Sequence, residues 1–282
     1  MACPSATTIG ICRILFIRKE MEPVVIELVR EQAVATVRLR RPPVNAFDLH
    51  MLDLLESAIE CSQTSGARCL LIRSDNPRFF SAGADIAMLQ AATERDGGVD
   101  EMVAFAGRFQ RILDKLERAP FGTIAVIEGL ALGGGLELAL ACDFRLAGPE
   151  AKMGLTETML GLVPGAGGTQ RLAAVVGRAR ARQLILTGRM IDATEADRIG
   201  LADFCVDGAP AAAGDLARDL AHRPARATAL AKECLLDAPS PDGYAKELAA
   251  SRELYGDQET AGILTEFLSS RKKSSSARKE LA

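Results

Sequence analysis

Three consecutive glycines stand directly before a stretch that has a helical pattern and is almost wholly apolar. The segment Leu132–Glu137 reads LGGGLE, and Glu137 is the only charged residue between Leu132 and Cys142. A helix that is apolar on all sides has to be enclosed by protein, and glycines allow other chain segments to approach its start closely. This segment therefore predicts a helix in the interior of a layered domain, with one carboxylate inside it.

Strand and helix patterns alternate along the chain up to about Ala202. Two β-branched, alternating stretches within Val24–Leu39 predict a hairpin, and Asp48 predicts the N-cap of the helix that follows. The segment Glu101–Arg118 has apolar residues at helical spacing, and Thr123–Ile127 predicts a buried strand. This order of elements is typical of an α/β core.

The chain is predicted to have four parts. Residues 1–22 form an extension that is expected to be disordered; an over-long start is favoured over a targeting peptide, because the apolar stretch Ile11–Ile17 is short and charged for a secretory signal. An organelle presequence stays open as the alternative. Residues 23–205 form the α/β core, and residues 206–270 form a helical region, since only helical patterns follow Ala209. Residues 271–282 are basic and serine-rich and are expected to be a disordered tail.

Composition excludes several classes of function. The chain has 282 residues, a net charge of −3 and a pI near 5.6, which argues against a nucleic-acid partner. No uncharged apolar run approaches the roughly 18 residues of a membrane helix, so no membrane partner is expected. Seven cysteines are scattered without a C-x-x-C pair, which indicates reduced thiols and no zinc site. With only two histidines, His50 and His222, a metal site or a histidine-based triad is not expected.

Two glycine turns and two glutamates are the candidate chemical groups. Gly134 begins the apolar helix, and Gly83 lies in the turn Ser81–Asp85; each turn could present a main-chain N–H to a negatively charged oxygen. No G-x-G-x-x-G or G-x-x-x-x-G-K-[ST] motif supports a nucleotide site. If Glu137 and Glu157 face one cavity, their charges repel and one proton is retained near neutral pH. Three alternatives stay open: a buried salt bridge for Glu137, a helix cap for Glu157 and an ordinary turn at Gly83.

Three segments resemble the enoyl-CoA hydratase/isomerase (crotonase) family in the expected order and spacing. They are Phe80–Asp85, Ile127–Asp143 and Pro164–Leu172, and the stretch Gly129–Thr158 is most similar to the methylglutaconyl-CoA hydratase branch. The resemblance is strong over about Pro23–Asp203. It implies an α/β fold, a spiral of ββα units followed by C-terminal helices that assemble homotrimers, often paired into hexamers.

The resemblance also implies roles for individual residues. The N–H groups of Ala84 and Gly134 would form the oxyanion hole. Glu137 and Glu157 would be catalytic, with Glu157 as the main acid and Glu137 as the base that orients water. The implied acyl-CoA binding residues are Ala82, Ala84, Asp85, Ile86 and Gly134. Neither metal nor cofactor is implied, because CoA belongs to the substrate.

The activity implied by two glutamates is hydration of a 2-trans-enoyl-CoA to a 3-hydroxyacyl-CoA, in the cytoplasm or in the mitochondrial matrix of a eukaryote. An enoyl-CoA isomerase, or a hydrolase or lyase that uses the same enolate, is the first alternative. A non-catalytic acyl-CoA- or RNA-binding protein on the same scaffold is the second, opposed by the acidic pI and the 4% aromatic content.

The chain departs from the family pattern at two places. Thr156 replaces a proline common in the family, and the stretch Arg41–Ala46 is shortened. The loop Ala92–Asp100 lies where the family varies its acyl pocket.

Overall fold

The computed structural model describes residues 12–16, 25–236, 238 and 240–280. The strands are β1 (Cys12–Phe16), β2 (Ile26–Glu31), β3 (Val34–Leu39), β4 (Cys69–Ser74), β5 (Phe79–Ser81), β6 (Gly122–Ile127), β7 (Leu130–Leu132), β8 (Phe144–Ala147), β9 (Lys152–Gly154), β10 (Ile191–Asp192) and β11 (Phe204–Cys205). The helices are α1 (Leu49–Thr64), α2 (Ile86–Thr93), α3 (Gly98–Glu117), α4 (Gly134–Leu140), α5 (Gly168–Val176), α6 (Arg178–Thr187), α7 (Ala193–Ile199), α8 (Ala209–Ala221), α9 (Ala225–Leu236), α10 (Pro241–Tyr255) and α11 (Gln258–Glu280), with a 3-10 turn at Glu157–Leu160.

The described strands form two sheets. The larger has the order β1-β2-β3-β4-β6-β8-β11, and the smaller has the order β10-β9-β7-β5. The predicted hairpin is confirmed, because β2 pairs with β3 in antiparallel fashion. From β3 to β11 the larger sheet is parallel, and so is the smaller sheet from β5 to β9.

The chain passes from the larger sheet to the smaller one and then into helix, three times in succession. One turn consists of β4, β5, α2 and α3; the next consists of β6, β7 and α4; the third consists of β8, β9, the 3-10 turn and α5. This is the predicted spiral of ββα units. Because β5, β7 and β9 are neighbours in one sheet, the segments that follow these strands emerge side by side.

Helix α4 lies in the interior, as its sequence predicts. Every residue from Gly134 to Leu140 is buried, and β6 is buried along its whole length. Helix α3 turns Phe105, Phe109 and Ile112 toward the same core. The predicted N-cap Asp48 is also confirmed, since its Oδ1 accepts from the N–H of Met51 at 2.7 Å.

The helical region starts with α8 at Ala209, where its sequence pattern begins. The chain divides into two compact units between Arg223 and Pro224, whereas the sequence predicts the α/β core to end at residue 205. Helix α8 belongs to the first unit because its stripe of Ala209, Ala213 and Ala217 packs on the outer face of the larger sheet. Alanine side chains allow a helix to approach a sheet closely, a property that its helical pattern alone does not reveal.

Both predicted disordered ends contain regular structure. Residues 12–16 form β1, which pairs antiparallel with β2, because their apolar sequence extends an open sheet edge; the rest of residues 1–22 lies outside the described residues. Helix α11 continues through residues 271–280, because this stretch has arginine, lysine, alanine and glutamate and has neither glycine nor proline. Residues 281–282 lie outside the described part. No described helix is both long and apolar enough to span a bilayer.

Candidate active site

The two glycine turns lie against each other. Gly83 has φ of +91°, and a Cβ built on it would lie 2.9 Å from the carbonyl oxygen of Leu132 and 3.0 Å from the nitrogen of Gly134. Any side chain at this position would therefore be strained and would collide with backbone. The alternative of an ordinary turn at Gly83 does not account for this contact; the glycine brings the start of α2 next to the start of α4.

The backbone on either side of Ala84 is fixed by a bridge to Phe47. The N–H of Phe47 donates to the carbonyl of Gly83 at 2.8 Å, and the N–H of Asp85 donates to the carbonyl of Phe47 at 2.9 Å. The N–H of Ala84 lies between these bonds, and Gly134 is the first residue of its helix, where the N–H has no intrahelical acceptor. Neither N–H donates a hydrogen bond within the described part of the chain.

Glu137 is buried without a cationic partner. It is 3% exposed, and no Lys, Arg or His nitrogen of the described residues lies within 4.0 Å of it, so the salt-bridge alternative is wrong. Its Oε1 accepts from the N–H groups of Ala166 at 2.7 Å and Gly168 at 2.8 Å. Burial, together with the charge of Glu157, raises the pKa of Glu137 to about 7 despite these two hydrogen bonds.

Glu157 stands beside the same glycine turn. A Cβ built on Gly133 would lie 3.0 Å from Oε1 of Glu157, so this glycine leaves room for the carboxylate. The Oε2 atom is buried and has no hydrogen-bond partner among the described residues, and burial raises the pKa of Glu157. An unsatisfied buried oxygen is costly. Although Glu157 opens a 3-10 turn, the cap alternative leaves this free oxygen unexplained.

One cavity of about 440 Å³ brings the predicted groups together. Ala84 and Gly134 line it, and so do both glutamates, Glu137 and Glu157. The predicted substrate-binding residues Ala82 and Ile86 also line it. Helices α2 and α3 and the segment 160–166 supply the remaining walls. The cavity therefore joins the amide donors to the two carboxylates.

Asp85, one of the predicted substrate-binding residues, lies at the N-cap of α2. It is not among the residues that line the cavity; its Oδ1 caps α2 by accepting from the N–H groups of Ala87 at 3.1 Å and Met88 at 3.3 Å. Its Oδ2 accepts from Arg41 at 2.8 Å, and Arg41 also contacts Asp48 at 3.0 Å. The hydrogen bond from Arg41 holds the pKa of Asp85 below its usual value. Asp85 thus fixes the start of α2, one residue after Ala84.

Sequence reasoning missed the groups that hold Glu137. The segment Pro164–Leu172 contributed to the resemblance, but its function became visible only with the N–H groups of Ala166 and Gly168. Arg171 supports this loop, since its Nη1 donates to the carbonyl of Ala166 at 2.9 Å and its Nη2 contacts Asp114 at 2.9 Å. The motif was the only signal in the sequence, because hydrogen bonds over such separations leave no periodicity.

Phe109 packs against the start of α4. A Cβ built on Gly134 would lie 2.9 Å from Cε1 of Phe109, so this ring packs on the turn at Gly134; the sequence predicts Phe109 only as a core residue. Neither His50 nor His222 lines the cavity. Among the described residues, no group of three or more His, Cys, Asp or Glu side chains is arranged to hold a metal ion.

The chemistry available to this arrangement follows from its groups. Two neighbouring N–H donors can bind one carbonyl oxygen, and they bind it more tightly as negative charge develops on it. Two carboxyl groups with raised pKa values can exchange protons with adjacent carbons near neutral pH. The site therefore suits the formation and protonation of an enolate.

Comparison with known proteins identifies the family of the chain. The family described as Enoyl-CoA hydratase/isomerase matches residues 29–271. A probable mitochondrial enoyl-CoA hydratase 2 of Arabidopsis thaliana is 37% identical over 249 residues, which are 86% of this chain and 81% of that protein. The mouse mitochondrial methylglutaconyl-CoA hydratase is 40% identical over 182 residues, 62% of this chain and 56% of that protein. The crystal structure of an enoyl-CoA hydratase from Geobacillus kaustophilus HTA426 has a TM-score of 0.83 at 31% identity and covers 92% of this chain and 97% of that one. The chain belongs to the enoyl-CoA hydratase/isomerase family and has the crotonase fold.

Proposed function

We propose that the protein is an enoyl-CoA hydratase that adds water across the 2,3 double bond of a 2-trans-enoyl-CoA and gives a 3-hydroxyacyl-CoA. The observation that carries the proposal is one cavity that contains two uncommitted N–H donors and two carboxyl groups. An enolate chemistry with a single proton transfer would need only one carboxyl group. The second one gives a place to hold and activate water.

Substrate activation is assigned to the two backbone amides. The thioester carbonyl accepts hydrogen bonds from the N–H groups of Ala84 and Gly134. A thioester oxygen is a poor acceptor until the enolate forms, so these bonds stabilise the enolate more than the bound substrate. Such a preference for the charged state accelerates the reaction, and the loss of one donor of this kind typically slows catalysis by about 10²–10³.

The proton transfers are assigned to the two glutamates. Glu137, as carboxylate, accepts a proton from water while the water oxygen bonds to Cβ; its Oε1 is held by Ala166 and Gly168, which leaves Oε2 to contact the water. Glu157, as carboxylic acid, donates its proton to Cα as the enolate collapses. The substrate gains one water, and a proton then returns from Glu137 to Glu157 through solvent before the next cycle. Burial raises the pKa of both groups, and because that of Glu137 reaches about 7, this group can take up and release a proton near neutral pH.

Three further features belong to this proposal. The chemistry uses no cofactor, because CoA is part of the substrate. Copies of the chain assemble as a homotrimer or homohexamer through the C-terminal helices; the exposed apolar residues Ile263, Leu264 and Phe267 on α11 support this. The reaction takes place in the cytoplasm, or in the mitochondrial matrix if the source is a eukaryote, since relatives include both a bacterial and several mitochondrial proteins.

The test is an assay of the purified protein with crotonyl-CoA and longer 2-trans-enoyl-CoAs. Hydration removes the conjugated double bond, so the ultraviolet absorbance of the enoyl thioester falls and the product mass rises by one water. A product of unchanged mass would identify an isomerase, and release of free CoA would identify a hydrolase. No conversion of any enoyl-CoA in the series would refute the proposal.

A further inference from the structure

The walls of the cavity contain two carboxyl groups and, among the described residues, no cationic side chain. Glu137 and Glu157 are its charged lining residues, and no Lys, Arg or His of the described chain contributes to the lining. Apart from two threonines, Thr93 and Thr156, the remaining side chains of the lining are apolar or absent. Such a cavity accepts hydrocarbon and has no group that would neutralise an anionic ligand.

The hydrocarbon walls extend well beyond the catalytic groups. Phe109 packs on Gly134 at the oxyanion end, and the lining then follows α3 back to Gly98. Since a helix rises 1.5 Å per residue, this wall is on the order of 16 Å long. Leu89 and Ala92 of α2 line the opposite side. An acyl chain whose carbonyl is bound at Ala84 and Gly134 can therefore lie between α2 and α3 for several carbons past Cβ.

A terminal carboxylate on a short acyl chain would meet unfavourable surroundings. In a glutaconyl group the carboxylate carbon is C5, only two bonds beyond the Cβ atom on which Glu137 and Glu157 act. Its charge would thus come near two carboxyl groups that share a buried space. The two glutamates would repel the substrate carboxylate. No cationic side chain of the described lining could pair with it to offset its loss of hydration.

We propose, on the basis of the function proposed above, that this site takes 2-enoyl-CoAs with apolar acyl chains longer than four carbons and rejects acyl groups that end in a carboxylate. The distinction separates this chain from the methylglutaconyl-CoA hydratases to which it is similar, whose name denotes a substrate with such a carboxylate. The long wall along α3 carries the preference for longer chains, and the two carboxyl groups of the lining, with no cation among its described residues, carry the rejection of the carboxylate.

The experiment compares kcat/KM for matched substrates. Glutaconyl-CoA is paired with 5-methyl-2-hexenoyl-CoA, in which a neutral isopropyl group replaces the carboxylate; crotonyl-CoA is paired with 2-octenoyl-CoA. We expect the carboxylate to lower kcat/KM by about 100-fold or more relative to its neutral partner. We expect 2-octenoyl-CoA to exceed crotonyl-CoA by about tenfold or more, since each buried methylene strengthens binding by roughly fourfold. Equal rates within either pair would overturn the corresponding half of the proposal.

A binding measurement separates this inference from the proposed reaction. Calorimetry with the saturated ligands octanoyl-CoA and glutaryl-CoA needs no turnover, so it tests the selection even if the protein does not hydrate enoyl-CoAs. Tight binding of octanoyl-CoA with weak binding of glutaryl-CoA supports the inference, and comparable affinities overturn it.

A pair of variants tests whether the lack of a cationic side chain in the lining explains the expected weak binding of glutaryl-CoA. Met102 lines the cavity on α3 and is half-buried. Met102→Lys should raise the affinity for glutaryl-CoA by about tenfold, and the neutral control Met102→Gln should not. The absence of any difference between the two variants would show that charge is not what excludes the carboxylate.

Discussion

The two glutamates of the cavity are the same residue type in unequal surroundings. Glu137 is locked by two backbone N–H groups on one oxygen, whereas Glu157 keeps a buried oxygen with no partner in the described chain. Burial raises the pKa of both groups, and the charge of Glu157 adds to the rise at Glu137, which reaches about 7. The difference in hydrogen bonding fixes the orientation of Glu137 and leaves one oxygen of Glu157 able to contact a bound molecule.

Glu157→Gln tests the proposed role of Glu157 as the proton donor. The substitution keeps the shape of the side chain but removes its transferable proton, so we expect kcat for enoyl-CoA hydration to fall by about 10²–10⁴ with little change in thermal stability. Glu128→Gln is the matched control, because Glu128 is 40% exposed and does not line the cavity. Activity near the wild-type level in Glu157→Gln would remove Glu157 from the mechanism.

Glu137→Gln gives a test that does not depend on turnover. The pKa of Glu137 is about 7 in the folded protein against a usual 4.5, so the folded state holds this proton more tightly than the unfolded state does. The stability contributed by the protonated group is therefore present below pH 4.5 and is lost as the pH rises toward 7. Glutamine does not titrate. Between pH 5 and pH 8 the variant should gain about 2 kcal/mol in unfolding free energy relative to wild type.

Urea unfolding of both proteins at the two pH values measures this difference. A difference between wild type and Glu137→Gln that stays constant with pH would mean that Glu137 ionises as readily in the folded protein as in the unfolded one. The control Glu128→Gln, at a half-exposed position outside the cavity, should follow the wild-type curve at both pH values.

Individual residues of the site differed in how far they could be predicted. Glu137 could be identified because burying a carboxylate in an apolar helix is costly without a partner or a function, and Gly134 because it begins that helix. The partners of Glu137, Ala166 and Gly168, could not, since their contribution is a backbone N–H that any residue type possesses. Asp85 was assigned to the channel from its position in a motif, yet its side chain points its oxygens at α2 and Arg41.

At the scale of elements, the site depends on how three short strands align. Phe79 pairs with Leu130, and Leu130 pairs with Lys152, so β5, β7 and β9 end at the same edge of the smaller sheet. Ala84 follows the first strand, Gly134 follows the second and Glu157 follows the third. The smaller sheet thereby sets the relative positions of the N–H groups of Ala84 and Gly134 and the carboxyl group of Glu157.

The caps of α1 and α2 provide an element-scale prediction. Asp48 and Asp85 both cap a helix and both contact Arg41, but only Asp85 is next to Ala84. Replacing either by alanine should cost about 1 kcal/mol of stability. Only Asp85→Ala should also lower kcat, by about tenfold, because the amide of Ala84 loses its fixed position.

Chemical denaturation and steady-state kinetics of the two variants decide this prediction. If Asp48→Ala lowers kcat as much as Asp85→Ala does, the effect comes from general loosening or from Arg41, and the cap of α2 has no particular part in positioning the amide.

Elements with a local sequence signal were predictable, whereas strands β5 and β7 were not. The periodicity of α3, the apolar run of β6 and the cap of α1 are local signals, and the structure confirms them. Strands β5 and β7 have three residues each, too few to show an alternation, and they exist because neighbouring strands supply their hydrogen bonds. Helix α8 was predicted as a helix, but its packing against the larger sheet depends on tertiary contacts.

At the scale of the whole molecule, the core and the cavity belong to the first unit. All members of both hydrophobic clusters lie before Arg223, and the cavity lining ends at Ala166. The second unit, which comprises α9, α10 and α11, instead exposes apolar side chains such as Leu264 and Phe267, 52% and 56% exposed. Exposed apolar residues in such a group are typical of a surface that another chain covers.

Truncation after Arg223 therefore separates folding from assembly. We expect the shortened protein to keep a single cooperative unfolding transition, because its hydrophobic core is intact, and to sediment as a smaller species than the trimer or hexamer proposed for the full chain. Analytical ultracentrifugation together with urea unfolding measures both properties.

A full-length protein that sediments as a monomer would contradict the assembly proposal. A shortened protein that forms the same oligomer as the full chain would show that the contacts between subunits lie in the ββα spiral and not in α9–α11.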